Sequence, residues 1–175
     1  MKIPAVRVST QRDVGEIVSL YPLAFPDEDL VPLVHALLNE SSAALSLVAL
    51  LEKQIAGHAV FTQCAIEGRD TRVALLGPIA VAPAFQRRGV GSALIRAGFK
   101  ILADAGVGHV CVLGDPGYYG RLGFAPDSAI DPPIPLPPAY EGAWQSRTLG
   151  EVAASPVSGK LLVPPPWRQR SLWVP

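Results

Sequence analysis

The chain has 175 residues, 49% of them apolar and 17% charged, with a formal net charge of zero. That balance predicts one globular domain, with or without an appendage, and excludes a disordered chain. Zero net charge argues against a broad nucleic-acid or membrane-surface binder, which needs clustered excess Lys and Arg.

The first strand is expected at Ala5–Ser9, where apolar and polar residues alternate. Thr10 can cap a helix with Asp13 in its first turn, carrying Val14, Ile17, Val18 and Tyr21 and stopping near Pro22. Asp27 can cap a second helix, with Glu28 and Asp29 at its positive end and an apolar face of Leu30, Leu33, Val34, Leu37 and Leu38. Pro32 falls early enough to be tolerated in the first turn. Three antiparallel strands follow at Leu45–Leu51, Ile55–Ile66 and Thr71–Val81, joined by turns at Glu52-Lys53-Gln54 and Glu67-Gly68-Arg69-Asp70. Pro78 conflicts with a central strand, because proline cannot donate to the ladder. A helix from Gly89 to about Ala105 ends before Gly106 and Gly108, and a strand follows at His109–Leu113. A helix between neighbouring strands suggests one parallel pair in an otherwise antiparallel sheet.

Beyond Phe124 the chain changes character. Asp131–Pro138 is proline-rich and expected to be extended. Trp144–Leu149 reads as one more strand and Lys160–Val163 as another. Pro164-Pro165-Pro166-Trp167 leads into a tail with Arg168, Arg170 and Trp173, read as solvated or packing. The expected organisation is a domain over 1–150 with a C-terminal extension over 151–175, packed on it or trailing from it. No apolar run reaches the roughly 18 residues of a bilayer span, and Met1-Lys2-Ile3-Pro4 lacks the apolar core of a signal peptide. Cys64 and Cys111 both lie in strand-like runs and read as core thiols in a reducing, cytoplasmic setting. The three histidines show no metal-ligand spacing, so no metal is expected.

Gln86-Arg87-Arg88-Gly89-Val90-Gly91-Ser92 is the most informative stretch: a basic glycine turn between a strand and a helix. The first amide groups of a helix have no internal partner and sit at the positive end of its dipole, which suits an anion. Gly89 and Gly91 lack the Cβ atoms that would hold a phosphate away. A P-loop needs Gly-Lys-Ser/Thr, which is absent. The dinucleotide fingerprint needs a third glycine where Leu94 stands, which opposes an NAD-type oxidoreductase. An ordinary glycine-containing helix start remains an alternative at this point.

The pattern Gln-x-x-Gly-x-Gly after a strand ending Ile-Ala-Val-Ala-Pro resembles the acetyl-CoA pyrophosphate loop of the GNAT superfamily of N-acetyltransferases. A second motif, Leu113-Gly114-Asp115-Pro116-Gly117-Tyr118-Tyr119-Gly120-Arg121-Leu122-Gly123-Phe124, resembles the Tyr-x-x-x-Gly-Phe signature that closes the GNAT core. Its Leu-Gly-Asp-Pro-x-Tyr-Tyr form resembles the subgroup of predicted bacterial acetyltransferases called YhbS-like. The resemblance covers roughly residues 5–125. It implies an α+β fold with a single mixed, mostly antiparallel sheet, splayed at its centre near Gly77-Pro78 and flanked by helices.

The implied activity is acetyl transfer from acetyl-CoA to a primary amine of an unidentified acceptor. The backbone of Ile79, Ala80 and Val81 would meet the pantetheine arm and acetyl carbonyl, and Gln86, Arg87, Arg88, Gly89, Val90, Gly91 and Ser92 the pyrophosphate. Tyr119 would protonate the departing sulfur, its phenol keeping a proton at neutral pH. Asp115 can accept the amine's proton directly or through water, and equally can cap a short helix starting at Pro116. His58 is a second base candidate, because an unperturbed His titrates near neutrality. The acidic, aromatic segment Tyr21–Asp29 suits an amine acceptor, yet its acids also serve as helix-start charges. A non-catalytic acyl-CoA-binding domain with the same fold is the alternative.

Overall fold

The computed structural model describes residues 2–39, 43–150 and 156–174. It contains a mixed, mostly antiparallel sheet flanked by helices. The chain divides into two compact units, Met1–Thr62 with Gly77–Ile101, and Gln63–Leu76 with Leu102–Pro175. The proposed extension falls in the second, and its residues 151–155 and 175 lie outside the described residues.

The first unit opens with β1 (Ala5–Val8), a 3-10 turn at Gln11–Asp13, α1 (Val14–Ala24) and α2 (Val31–Asn39). Asp13 accepts from the Thr10 backbone N–H at 2.7 Å, so the expected cap forms one turn before the α-helix proper. The same carboxylate takes both guanidinium nitrogens of Arg7 at 2.7 and 2.9 Å. Two expectations need correcting. α1 runs through Pro22 to Ala24. A proline so near the helix end removes only one bond, and Phe25 N–H closes the last turn on Tyr21 O at 2.8 Å. α2 begins at Val31, so Asp27 lies in the turn before it and does not cap it. Pro32 is then its second residue, a position whose N–H has no intrahelical partner anyway.

β2 (Ala44–Leu51) pairs antiparallel with β1, from Ala5↔Leu50 to Val8↔Leu47. β3 (Gln54–Ile66) pairs with β2 from Ala44↔Thr62 to Leu51↔Gln54. The two-residue hairpin between them puts Glu52 and Lys53 at φ 53° and 65°, the twist that matches right-handed strands. β4 (Arg72–Val81) contains Pro78 behind a cis Gly77-Pro78 bond. α3 (Val90–Asp104) follows a 3-10 turn at Pro83–Phe85.

Strand alternation gives β3 two faces. Gly57 meets Val90 and Leu94 of α3, and Phe61 packs where Gly98 leaves room. His58 points the other way, to Tyr21 of α1. Ile17, Leu20, Tyr21, Val34, Val48 and Ala80 form the apolar core on that side.

In the second unit β5 (His109–Leu113) runs parallel to β4, from Val73↔His109 to Leu76↔Val112. α4 (Pro116–Tyr119) and a 3-10 turn at Gly120–Leu122 follow, then β6 (Ala125–Pro126) and β7 (Ile130–Asp131). β8 (Trp144–Thr148) pairs antiparallel with both β5 and β6. β9 (Gly159–Leu162) joins the end of β3 at Ala65↔Leu162 and lies parallel to β7. The tail is packed: Trp167 and Trp173 are buried, Trp173 stacks edge-on to Trp144, and its indole N–H donates to Trp167 O at 2.8 Å. Among the described residues no helix is long and apolar enough to cross a membrane.

Candidate active site

The cofactor-binding candidates Ile79, Ala80, Val81 and Gln86–Ser92 all lie in the first unit, along the end of β4 and the start of α3. Gln86 donates its side-chain amide to Val81 O at 3.1 Å, which ties the turn back to the strand end. Arg87 adopts φ 61° and Gly89 φ 76°, so two left-handed residues reverse the chain in four positions. A β-carbon built on Gly89 meets nothing within 4 Å, so the space above this turn is open. Ala93 N–H donates to Gly89 O at 3.0 Å and closes the first turn of α3. The amides of Val90, Gly91 and Ser92 precede that bond and have no intrahelical acceptor. Arg88 lies over the Phe85 ring at 5.6 Å, while Arg87 and Arg88 are both exposed. An open glycine turn, a helix N-terminus and two guanidinium groups make an anion cradle.

The height of that cradle is set from below. Val90 is buried against Gly57, where an added β-carbon would stand 2.7 Å from Val90 Cγ1 and 3.1 Å from Ala80 O. Gly57 is therefore a positioning residue that the sequence reading passed over.

Asp115 and Tyr119 are brought together in the second unit. Asp115 Oδ1 accepts from Gly117 N–H at 3.0 Å and its carbonyl accepts from Tyr119 N–H at 3.0 Å, so Asp115 does cap α4. The rest of the carboxylate is exposed. Tyr119 is buried at 9% exposure and packs edge-on to Phe124 and Tyr118, at 5.6 and 4.9 Å between ring centroids. Burial pushes its pKa up, and the nearby Tyr118 and Asp115 add to the shift, so the phenol holds its proton.

Two glycines explain the motif around this ring. A β-carbon on Gly114 would stand 2.4 Å from Tyr119 Cε2. Gly123 has φ 86° and ends the 3-10 turn, which lets Phe124 N–H reach Tyr119 O at 3.2 Å and sets Phe124 on the tyrosine. Gly114 is held in turn by Gln145, whose Nε2 donates to Gly114 O at 3.1 Å.

His58 is fully buried in the first unit. Its Nδ1 lies 2.7 Å from Tyr21 Oη and its Nε2 2.8 Å from Ser46 Oγ, which Ser9 Oγ reaches at 2.6 Å. Burial lowers its pKa to about 3, so the ring is neutral near pH 7. Sequence reading found His58 but neither hydroxyl partner. Burial likewise pushes the thiol of Cys64 up to about 12 and raises that of Cys111, as suits inert core residues.

Comparison with known proteins matches residues 14–124 to the acetyltransferase (GNAT) family. The chain is 35% identical over 149 residues to the N-acetyltransferase YjhQ of Escherichia coli K12, covering 81% of this chain and 82% of that one. A crystal structure of the GNAT-family N-acetyltransferase YhbS from Escherichia coli in complex with CoA aligns with TM-score 0.85 and 26% identity, over 95% of this chain and 93% of that one. A GNAT-family acetyltransferase from Brucella melitensis in complex with acetyl-CoA aligns with TM-score 0.75 and 28% identity, over 95% and 99% of the two chains.

Proposed function

Because this chain belongs to the GNAT family and is an N-acetyltransferase of it, we propose that it moves the acetyl group of acetyl-CoA directly to a primary amine. The observation that carries this reading is the open turn at Arg87–Gly89 ahead of α3. The amides of Val90 to Ser92, with Arg87 and Arg88, hold the pyrophosphate. The backbone of Ile79, Ala80 and Val81 aligns the pantetheine arm and polarises the acetyl carbonyl. The CoA-bound and acetyl-CoA-bound relatives support this use of the site.

In the transfer, the amine nitrogen forms a bond to the acetyl carbon and the carbon–sulfur bond breaks. The nitrogen gives up one proton, to Asp115 directly or through water, and the thiolate takes one from Tyr119. The exposed oxygen of Asp115 is the one available, since Oδ1 is engaged by Gly117. The burial that keeps Tyr119 protonated also makes full proton release uphill, so its contribution falls at the low end of general-acid effects. The experiment is CoA release against a panel of amines, with Tyr119→Phe and Tyr118→Phe beside the wild type. Tyr119→Phe should lower kcat by roughly 10- to 1000-fold with acetyl-CoA affinity nearly intact, and Tyr118→Phe by much less. Equal, small losses would assign Tyr119 to packing. No thiol release with any amine would refute the reading.

A further inference from the structure

The C-terminal segment, read from sequence only as a solvated or packing tail, builds one wall of a cavity of about 430 Å³ whose other wall carries Asp115. The wall is constructed, not draped. Trp173 is 3% exposed, packs against Trp144 and Trp167 with ring centroids 5.9 Å apart in both pairs, and donates its indole N–H to Trp167 O. Leu172 N–H and Trp173 N–H close a 3-10 turn on Gln169 O and Arg170 O at 3.1 and 3.0 Å. This anchoring holds Ser171, Leu172 and Val174 along the cavity, with Leu172 and Val174 only half-buried. Tyr140, 36% exposed, adds an aromatic edge.

We propose that this cavity is the acceptor pocket, that Asp115 receives the ammonium head, which sheds one proton to solvent to become the neutral nucleophile and a second to Asp115 as the amide bond forms, and that the tail residues Leu172 and Val174 select a small primary monoamine with a short apolar body. The inference rests on the acetyltransferase reading and names its substrate class. Among the described residues Asp115 is the only charged group lining the cavity, so the site complements one positive charge and no more. Asp115 Oδ1 is engaged by Gly117, and among the described residues Oδ2 has no hydrogen-bond donor, leaving that oxygen for a charge-assisted bond to an ammonium. The remaining lining offers apolar carbon and the hydroxyls of Ser171 and Tyr140. A polyamine would bring second and third charges against apolar walls, at a desolvation cost nothing there offsets. The volume lies toward the small end of the roughly 300–1,000 Å³ range of small-molecule pockets. Asp115 also begins the helix that ends in Tyr119, so the ammonium head sits at the start of the element that carries the proton donor.

The test compares wild type, Leu172→Ala and Leu172→Trp in CoA-release kinetics with n-butylamine, 2-phenylethylamine, spermidine and a lysine-containing hexapeptide, with acetyl-CoA affinity measured by calorimetry. Neither variant replaces a buried tryptophan. The wild type should prefer the two monoamines. Leu172→Ala should raise kcat/KM for 2-phenylethylamine relative to n-butylamine at least about fivefold, and Leu172→Trp should lower it by a similar factor. Both shifts should appear in the KM for amine, with acetyl-CoA affinity unchanged. Should one variant not fold, the other decides. Unchanged selectivity in a folded variant would overturn the tail's role while leaving acetyl transfer intact. A preference for spermidine or the peptide would overturn the substrate class. Tight acetyl-CoA binding with no amine acetylated would overturn this inference and the acetyltransferase reading together.

Discussion

Gly89 and Gly68 form a matched pair that separates backbone strain from ligand binding. Gly89 has φ 76° and Gly68 φ 71°, and a β-carbon on either meets nothing within 4 Å. Gly68 lies in the hairpin turn between β3 and β4, whereas Gly89 lies in the turn before α3. Alanine at either position pays the left-handed cost of an L-residue, about 1–2 kcal/mol, out of a total stability of about 5–15 kcal/mol. Both variants should therefore fold, with melting temperatures lowered by roughly 2–8 °C. Only Gly89→Ala puts a methyl group into the anion cradle. Losing one charge-assisted hydrogen bond from an amide to a phosphate costs about 1.5–3 kcal/mol, which is roughly 10- to 150-fold in Kd. Calorimetric titration of acetyl-CoA into both variants, with thermal denaturation beside it, makes the comparison. Equal melting losses with Gly89→Ala within about threefold of wild-type affinity would refute the pyrophosphate assignment, because strain would then be the whole effect.

Gly57→Ala should destabilise by about 1–3 kcal/mol through overpacking, and should weaken acetyl-CoA binding, since the new methyl presses Val90 at the head of α3; thermal denaturation and titration read the two effects. His58 has a folded pKa near 3 against a usual value of 6.5, so below pH 6.5 the unfolded chain binds the extra proton. Stability should then fall by about 1.4 kcal/mol per pH unit on acidification from about pH 6 to 4, and denaturant titrations of His58→Gln should show that slope flattened. Arg7 holds the Asp13 carboxyl well below its usual range, so its contribution is complete above about pH 4 and lost as pH falls toward the folded value. Asp13→Asn should lower stability at neutral pH and converge on wild type in strong acid, read by the same titrations.

Strand and helix placement was largely readable from sequence because it depends on local periodicity. Alternation found β1, apolar runs between turns found β2 to β5, and the terminal glycines found the end of α3. The errors fell where two local signals competed. At Pro22 the breaker signal lost to the buried Leu20 and Tyr21 just before it, which anchor the last turn that Phe25 N–H closes on Tyr21 O. At Asp27 a good capping residue lost to Pro32, whose missing N–H fits the second helical position three residues later than the cap would require. The tail was read from sequence as solvated or packing, and periodicity could not choose between the two, because Trp173 packs on Trp144, more than twenty residues upstream, and on Trp167.

The site divides in the same way. Arg87–Ser92 and the span from Asp115 to Phe124 stand out in the sequence because each proposed role is written in consecutive residues, where a left-handed glycine or a cap leaves a local trace. The residues that set the height and rotation of those segments leave none. Gly57 reads as an ordinary strand glycine until α3 is laid against it, and only then does its hydrogen become the reason that Val90 can sit so low. Gly114 looks like a turn residue, but five positions later it is the clearance for the Tyr119 ring. His58 read from sequence as a base candidate. In the fold its two ring nitrogens are taken by hydroxyls from α1 and β2, contributed by residues 37 positions and 12 positions away. A neutral imidazole donates from one nitrogen and accepts at the other, so that pairing satisfies both and fixes the ring without a charge. The segments that the sequence displays are thus held in place by contacts it does not display, and Gly57→Ala should disturb acetyl-CoA binding without replacing any residue proposed to meet the cofactor.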